Sequence, residues 1–509
     1  MFKKDMAKIK SIVGNERLLI YLTFLSGIII SLVQFLYNRS LWLDEAMLAL
    51  NIINKNNIQL LFPLDYYQVA PILFLQVEKF FSLLLPNSEY GLRLFPLFAF
   101  WVSSYLFYKI LNLIFKNSNI IIVGLSLFLF NATLLYFSSE VKQYMIDVLV
   151  LLGLYFLVLK PYKEAKTQMY LLGIFGAISI MLSNVSPILL ACIGLHLVIK
   201  GIRMPKSNIK SIFVLFGVLG VTFLIYYVAF IHHHPTKDFM LKFWTKNNAF
   251  MPINPFDAIF YRFFYDKVLT VFYYFFTFGT LLFISFIFFY CLGIFYLVRF
   301  KKIDFIILTL VPFMLHLILS SFKLYPFHER LLLYNIPLII FVFLLGFQYL
   351  ASILYVYFKG IRFGKLYLFI PIFLIFNVLS FSNSITKGFP MKRDEIKESI
   401  QYIEKMSITS DRICVYFAAL CAFQYYQDIN FMATKKPTIL GCWDKNIRLK
   451  KTIDDFNQLK GKNWLLFSQV FDNEEAKMIH YLDSLGYPKL NSFKTNGSSA
   501  YYYDFGGKE

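Results

Sequence analysis

Runs of roughly 18 or more apolar residues recur along this chain, and each is long enough to cross ~30 Å of hydrocarbon. Within lipid, backbone N–H and C=O groups find no water, so only helices and closed barrels can span. The runs lack period-2 alternation, which argues against a barrel. Composition agrees: of 509 residues, 58% are hydrophobic, 20% aromatic and only 16% charged, with a mean hydropathy of +0.60. A soluble globular chain carries about 25% charged residues. A water-soluble enzyme, a disordered chain and a repeat solenoid are therefore excluded, and the expectation is an α-helical polytopic membrane protein.

By the ~20-residue criterion about eleven transmembrane helices are expected. They fall near 18–37, 93–115, 119–136, 145–160, 169–185, 187–200, 211–231, 268–298, 304–321, 331–350 and 366–382. The first run, Leu18 to Tyr37, exceeds a signal-peptide core and no small-residue cleavage site follows, so it reads as a retained span. The formal net charge of +20 resides in short clusters between runs and reports orientation, not nucleic acid. Lys3, Lys4, Lys8, Lys10 and Arg17 precede the first run. Alternate loops carry Lys116; Lys160, Lys163 and Lys166; Lys200, Arg203, Lys206 and Lys210; Arg299, Lys301 and Lys302; and Lys359, Arg362 and Lys365. The positive-inside rule assigns that side, and the N-terminus, to the cytoplasm.

The opposite side then receives 38–92, 137–144, 232–267, 322–330 and a tail. Two domains are expected: a transmembrane catalytic domain over 1–383, and a small extracytoplasmic α/β domain over 384–509. In the tail, RICVYFAALCAF and NWLLFSQVF read as strands, DEIKESIQYIEKM and EEAKMIHYLDSLG as helices. Within 38–92, LWLDEAMLALNIINKN and PILFLQVEKFFSLLL read as interfacial helices, a floor suited to a lipid-borne substrate. Five cysteines include three in the tail; a disulfide from Cys414 to Cys421 or Cys442 is left open, and no CxxC pair suggests zinc.

Acidic residues beside hydrocarbon are costly unless solvated or used. Asp44 and Glu45 stand just past the first run. They suit a general base acting on an acceptor hydroxyl, or else a charged start to an interfacial helix. In SSEVKQY, Glu140 could orient a hydroxyl or share the base role, and Lys142 could neutralise a leaving phosphate. Ser138 or Ser139 could instead cap the following helix, and Asp147 could pair with Lys142. In FKLYPFHERLLLYNIP, Lys323, Tyr325, His328, Glu329 and Arg330 crowd one loop; Arg330 could hold a phosphate through two hydrogen bonds, or snorkel. Gln68, Tyr144 and Arg93 complete the set, Arg93 reading by itself as an interface anchor. Three consecutive histidines, His232 to His234, cannot all face one ion on a regular element. A divalent metal is thus not indicated, and no cofactor is implied.

With these residues in view, the chain resembles the polytopic GT-C glycosyltransferases. The likeness is to the family 39-like group that includes protein O-mannosyltransferases and the aminoarabinose transferase of lipid A. It rests on WLDEA (Trp42 to Ala46), QVAP (Gln68 to Pro71), the spacing of Glu89 and Arg93, SEVKQY (Ser139 to Tyr144), YPFHERLLLYNIP (Tyr325 to Pro337) and a soluble tail, in that order. The resemblance implies a polyprenyl-phosphate sugar donor used at the outer face of the cytoplasmic membrane among membrane lipids. The acceptor is an unidentified glycan, lipid or protein. It implies Asp44, with Glu45 beside it, as catalytic carboxylate, Glu140 as the second acid, and an inverting reaction. Lys142, Arg330 and then Arg93 would stabilise the phosphate, with His328, Tyr325, Gln68 and Tyr144 lining the substrate. The acid–Lys element SEVKQY departs from the mannosyltransferase pattern, so sugar and acceptor do not carry over. A transporter or flippase of lipid-linked glycans and a glycan polymerase or ligase are the alternative readings. The orientation is checked by labelling: cysteines placed in the loop that follows the acidic pair at 44 and 45 are expected to be reached by impermeant reagents from outside the cell, not from the cytoplasm.

Overall fold

The computed structural model describes residues 16–202, 206–276, 280–357, 388–408, 411–432 and 436–506. The chain divides into two compact units. One comprises Met1–Phe35, Val69–Val77 and Arg93–Phe389; the other comprises Leu36–Gln68, Glu78–Leu92 and Pro390–Glu509.

The first unit is helical. Among the described residues six helices are long and apolar enough to cross a membrane: Glu16–Leu36, Glu89–Ile114, Ala165–Leu182, Ile209–His232, Leu282–Arg299 and Asn335–Leu354. A seventh arises if Ile303–Thr309 and Val311–Ser321, bent by 46°, count as one span. Among the described residues, which leave out the run near 366–382, the expected count is therefore corrected to six or seven, for identifiable reasons. Ser118–Leu129, Tyr144–Leu159 and Ser186–Ile202 have 12, 16 and 17 residues. At 1.5 Å per residue, they reach only about 18–26 Å. The first stops because Asn131 starts a new helix, its side chain accepting from the Leu134 N–H at 3.0 Å. Within the long run at 268–298, helix Thr270–Phe275 ends at Phe276, and Thr280–Arg299 is the membrane-length part. The run near 366–382, the basic residues Lys359, Arg362 and Lys365, and the expected domain boundary at 383 lie outside the described residues.

Helices Thr280–Arg299 and Asn335–Tyr357 cross at glycines. A Cβ on Gly293 would overlap the Val342 carbonyl, and one on Gly346 would overlap the Phe289 carbonyl. Such close backbone approach supplies dispersion contacts where lipid offers no hydrophobic drive. Phe286, Phe289, Phe343 and Phe347 flank the crossing, Phe286 stacking on Phe343 at 4.6 Å.

Two shorter helices, Leu43–Asn54 and Ile72–Leu84, stand where interfacial helices were expected. The tail forms a mixed five-stranded sheet of β1 (Arg412–Tyr416), β2 (Thr438–Leu440), β3 (Lys462–Ser468), β4 (Lys489–Thr495) and β5 (Ser498–Asp504), in order β2-β1-β3-β5-β4. β1 pairs in parallel with β2 and β3, while β5 runs antiparallel to β3 and β4. Crossover helices Leu420–Asp428 and Arg448–Asn457 make the parallel pairs possible, and an Asn-Gly turn at 496–497, with Gly497 at φ +70, closes the β4–β5 hairpin. Helices Ile396–Met406 and Glu474–Ser484 match the expected helices. The segment RICVYFAALCAF is extended only as far as Tyr416; the helix formers Ala418, Ala419, Leu420 and Ala422 then take it into a helix. All five cysteines are free, and burial pushes the Cys414 and Cys421 thiols up to about 12.

The glycine crossing gives a direct test. Gly346→Leu overpacks the contact at a cost of about 1–3 kcal/mol and is expected to lower the melting temperature in detergent. Gly217→Val, where a Cβ meets nothing within 4 Å, is expected to leave it unchanged.

Candidate active site

The acidic motif lies in the second unit. Helix Leu43–Asn54 begins with Asp44 and Glu45 in its first turn, where negative charge meets the positive end of the dipole, and Trp42 offers no side-chain cap. Glu45 is fully buried and takes a 3.0 Å ion pair from Arg39, itself 1% exposed. Asp44 accepts a 3.2 Å hydrogen bond from the Gln68 amide, which also lies 3.6 Å from the Met47 sulfur. Gln68 reaches Asp44 because Tyr66 and Tyr67 both hold left-handed backbone, φ +58 and +54. Non-glycine residues rarely adopt that region, and such strain persists only where its surroundings enforce it. Asn51 does the enforcing: its amide donates to the Asp65 carbonyl at 3.2 Å and its oxygen accepts the Asp65 N–H at 2.8 Å.

The strand of chain leading into the motif is tied down just as tightly. The Tyr426 hydroxyl accepts the Leu41 N–H at 3.0 Å and donates to Glu89 at 3.1 Å. Lys397 bridges the Asn38 carbonyl (2.9 Å) and Glu89 (2.5 Å), while the Ser40 hydroxyl accepts the Lys397 N–H at 3.0 Å. The Arg393 guanidinium lies 3.4 Å over the Trp42 ring. Glu89 is thus a hub joining the loop helices to the tail helices. Lys79 donates to the Ile52 and Ile53 carbonyls at 2.7 and 3.1 Å, satisfying the exposed end of the Leu43–Asn54 helix. Its neighbour Glu78 is fully buried, and neither carboxyl oxygen has a hydrogen-bond partner among the described residues. Burial, reinforced by the charge of Glu45, pushes the Glu78 carboxyl well above the usual range.

The remaining candidates lie in the first unit. Glu140 and Lys142 are buried in the turn before helix Tyr144–Leu159, the Lys142 N–H donating to the Glu140 carbonyl at 2.7 Å. Ser138 and Ser139 do not cap that helix. Their hydroxyls donate backwards, to the Leu135 carbonyl at 2.7 Å and the Tyr136 carbonyl at 3.3 Å, because residues 140–143 separate them from its first turn. Asp147 accepts from the Ser183 hydroxyl at 2.5 Å, the partner found in place of Lys142. Arg330 lies 5.9 Å over the Tyr144 ring and 5.5 Å over the Trp244 ring, and His328 contacts Trp244 at 5.2 Å between ring centroids. Packing on aromatic faces holds a guanidinium in place. His328 pairs with Glu329 at 3.0 Å. Burial opposes ionisation of Glu329, but the His328 hydrogen bond and the charges of His328 and Lys267 outweigh it and hold the carboxyl below its usual range. Tyr325 packs on His316 at 4.9 Å. Arg93 is buried near the start of helix Glu89–Ile114, unlike a snorkelling interface anchor.

The structure thus gathers Asp44, Glu45 and Gln68 in one unit, and Tyr144 with Arg330 in the other, with Glu140 and Lys142 in the turn just before Tyr144. Arg39, Asn51, Glu78, Trp244 and His316 escaped the sequence reading. For Glu78 and His316 a signal existed: each is a titratable residue inside an apolar helix. Among the described residues, no three His, Cys, Asp or Glu side chains converge as metal ligands.

The sequence matches no protein-family model and no curated protein. Among solved structures it is similar to ArnT from Cupriavidus metallidurans in the apo state, at 10% identity and a TM-score of 0.48. It is similar as well to the same protein bound to undecaprenyl phosphate, at 11% identity and a TM-score of 0.49. Each match covers 95% of this chain and 97% of the other.

The buried pair carries a prediction. Arg39→Met leaves Glu45 buried without its counter-charge, a change costing about 3–5 kcal/mol, and is expected to lower the melting temperature sharply. Arg39→Met combined with Glu45→Gln is expected to recover most of that loss.

Proposed function

We propose that this chain is a membrane glycosyltransferase of the GT-C type, moving a sugar from a polyprenyl-phosphate donor to an acceptor at the outer face of the cytoplasmic membrane. One observation carries the reading. Directly after the first membrane-length helix, a buried ion pair and a strained turn hold Asp44 in a helix's first turn, with one carboxylate oxygen engaged by Gln68. Such an investment in aiming one carboxylate fits a general base better than a surface anchor. The order of motifs along the sequence supports the same reading, and so does the aromatic clamp on Arg330.

In this mechanism the acceptor hydroxyl gives its proton to Asp44 as its oxygen attacks the anomeric carbon. The bond from that carbon to the donor phosphate oxygen breaks on the opposite side, and the polyprenyl phosphate departs with the electron pair. The configuration inverts. Arg330 and Lys142 balance the negative charge that grows on the phosphate; Glu140 orients a sugar or acceptor hydroxyl. Glu45 holds the helix start through Arg39 rather than meeting substrate. A carrier of lipid-linked glycans is the second reading, favoured by the 46° break between Ile303–Thr309 and Val311–Ser321.

Transfer of sugar in membranes or proteoliposomes separates the two. Asp44→Asn is expected to insert normally and to lose about 10²-fold or more of the transfer rate, the scale of a general base. Arg330→Ala is expected to weaken donor use by about 10–100-fold, the worth of charge-assisted hydrogen bonds. Glu140→Gln is expected to slow turnover. Full transfer by Asp44→Asn removes the base assignment, and flux of lipid-linked glycan without any transfer product establishes the carrier.

A further inference from the structure

Arg330 belongs to the loop joining helix Val311–Ser321 to helix Asn335–Tyr357, and an unconstrained loop would not keep a guanidinium in register with two rings. His316, in the first of those helices, is fully buried and makes two hydrogen bonds. One ring nitrogen, Nε2, lies 2.9 Å from the Pro326 carbonyl. A carbonyl only accepts, so Nε2 must carry the proton. The neutral ring then leaves Nδ1 as an acceptor, and the Tyr334 hydroxyl stands 3.1 Å from it. His316 therefore joins its own helix to the loop at Pro326 and to the chain beyond the loop at Tyr334, four residues on either side of Arg330.

A second set of contacts ties the same loop to the segment that bears Trp244. The Phe327 N–H donates to the Ala249 carbonyl at 2.7 Å, and the Ser320 hydroxyl donates to that carbonyl at 3.2 Å while accepting the Met251 N–H at 3.1 Å. Ala249 in turn donates to the Trp244 carbonyl at 3.0 Å. Phe327 is fully buried and packs edge-on to Phe313 and His316. The Trp244 ring that packs on Arg330 and the loop that carries Arg330 are thus referred to one frame. A histidine buried in an apolar helix is expensive unless it earns its place, and this one satisfies both nitrogens on the two flanks of Arg330.

We propose that His316 is a positioning residue that latches the 322–330 loop and so holds Arg330 at the phosphate site. This rests on the reading of Arg330 as a phosphate ligand. Preorganised donors gain their effect by not having to be reoriented when charge develops, and a loop freed at Pro326 would forfeit that.

The test uses the full chain in detergent, with farnesyl phosphate as a short polyprenyl-phosphate probe and hydrogen exchange over the peptide containing Phe327. His316→Phe keeps an aromatic ring but removes both hydrogen bonds; His316→Gln retains an N–H donor near Nε2. We expect His316→Phe to speed exchange at Phe327 and to weaken the probe by tenfold or more each, and His316→Gln to restore most of both. In the double variant with Arg330→Ala, affinity should fall no further than in Arg330→Ala alone, since coupled residues are non-additive. Unchanged exchange in His316→Phe overturns the latch, and so do multiplying losses in the double variant. Should Arg330→Ala bind the probe normally, the phosphate reading fails, and the exchange data alone then decide whether the latch exists. If His316→Phe does not fold, Tyr334→Phe, which removes only the Nδ1 partner, is read the same way with a smaller expected shift.

Discussion

A carboxylate and a guanidinium removed from water must answer each other, and the Arg39–Glu45 pair does so where the chain leaves its first membrane-length helix. Either charge alone would be several kcal/mol too costly to bury. Together they fix the beginning of helix Leu43–Asn54, and that in turn fixes the direction of Asp44. The pair is surrounded by further satisfied charges: Glu89 with Lys397, and Trp42 under Arg393. The short stretch from Asn38 to Glu45 is therefore among the most heavily constrained backbone in its unit, although its length and sequence resemble an ordinary connector.

The same economy governs the other unit. Its short apolar helices Ser118–Leu129 and Tyr144–Leu159 are largely buried within the protein, and several of its interior polar groups bond to backbone carbonyls. Asn131 donates to the Phe275 carbonyl, Thr133 to the Tyr274 carbonyl, and Tyr155 to the Leu308 carbonyl. These bonds tie the ends of broken or short helices to one another, as a chain in lipid requires. Glycines let Thr280–Arg299 and Asn335–Tyr357 meet backbone to backbone, which gives the loop between Ser321 and Asn335 a firm foundation on one side. The loop that carries Arg330 thus takes its position from helix packing.

Three carboxyls at and beside the motif illustrate how environment divides roles among like groups. Glu45 pairs with Arg39, burial raises the Glu78 carboxyl well above its ordinary range, and Asp44 keeps a polar amide partner. Sequence places Asp44 and Glu45 side by side as equal candidates. Helical geometry separates them by about 100° around the axis, so one turns into the packed interior and the other toward Gln68. That rotation, not residue type, assigns the chemistry proposed for each.

The amino-acid sequence determined the class of this protein, since runs of apolar residues are a local property and hydrocarbon leaves few ways to satisfy a backbone. It equally marked the two loop helices, four of the tail elements and the charged motifs, whose periodicity and spacing are read over a handful of neighbours. Tertiary structure alone decided how many of the described apolar runs are membrane-length helices, because a helix start such as the one at Asn131 cuts a run that hydropathy averages across. It also decided that Asp147 meets Ser183, that Arg39 answers Glu45, and that His316 reaches Pro326 and Tyr334. A hydrogen bond between residues 36 positions apart, like the packing of a ring on a guanidinium, depends on where distant helices come to rest. No local pattern records it.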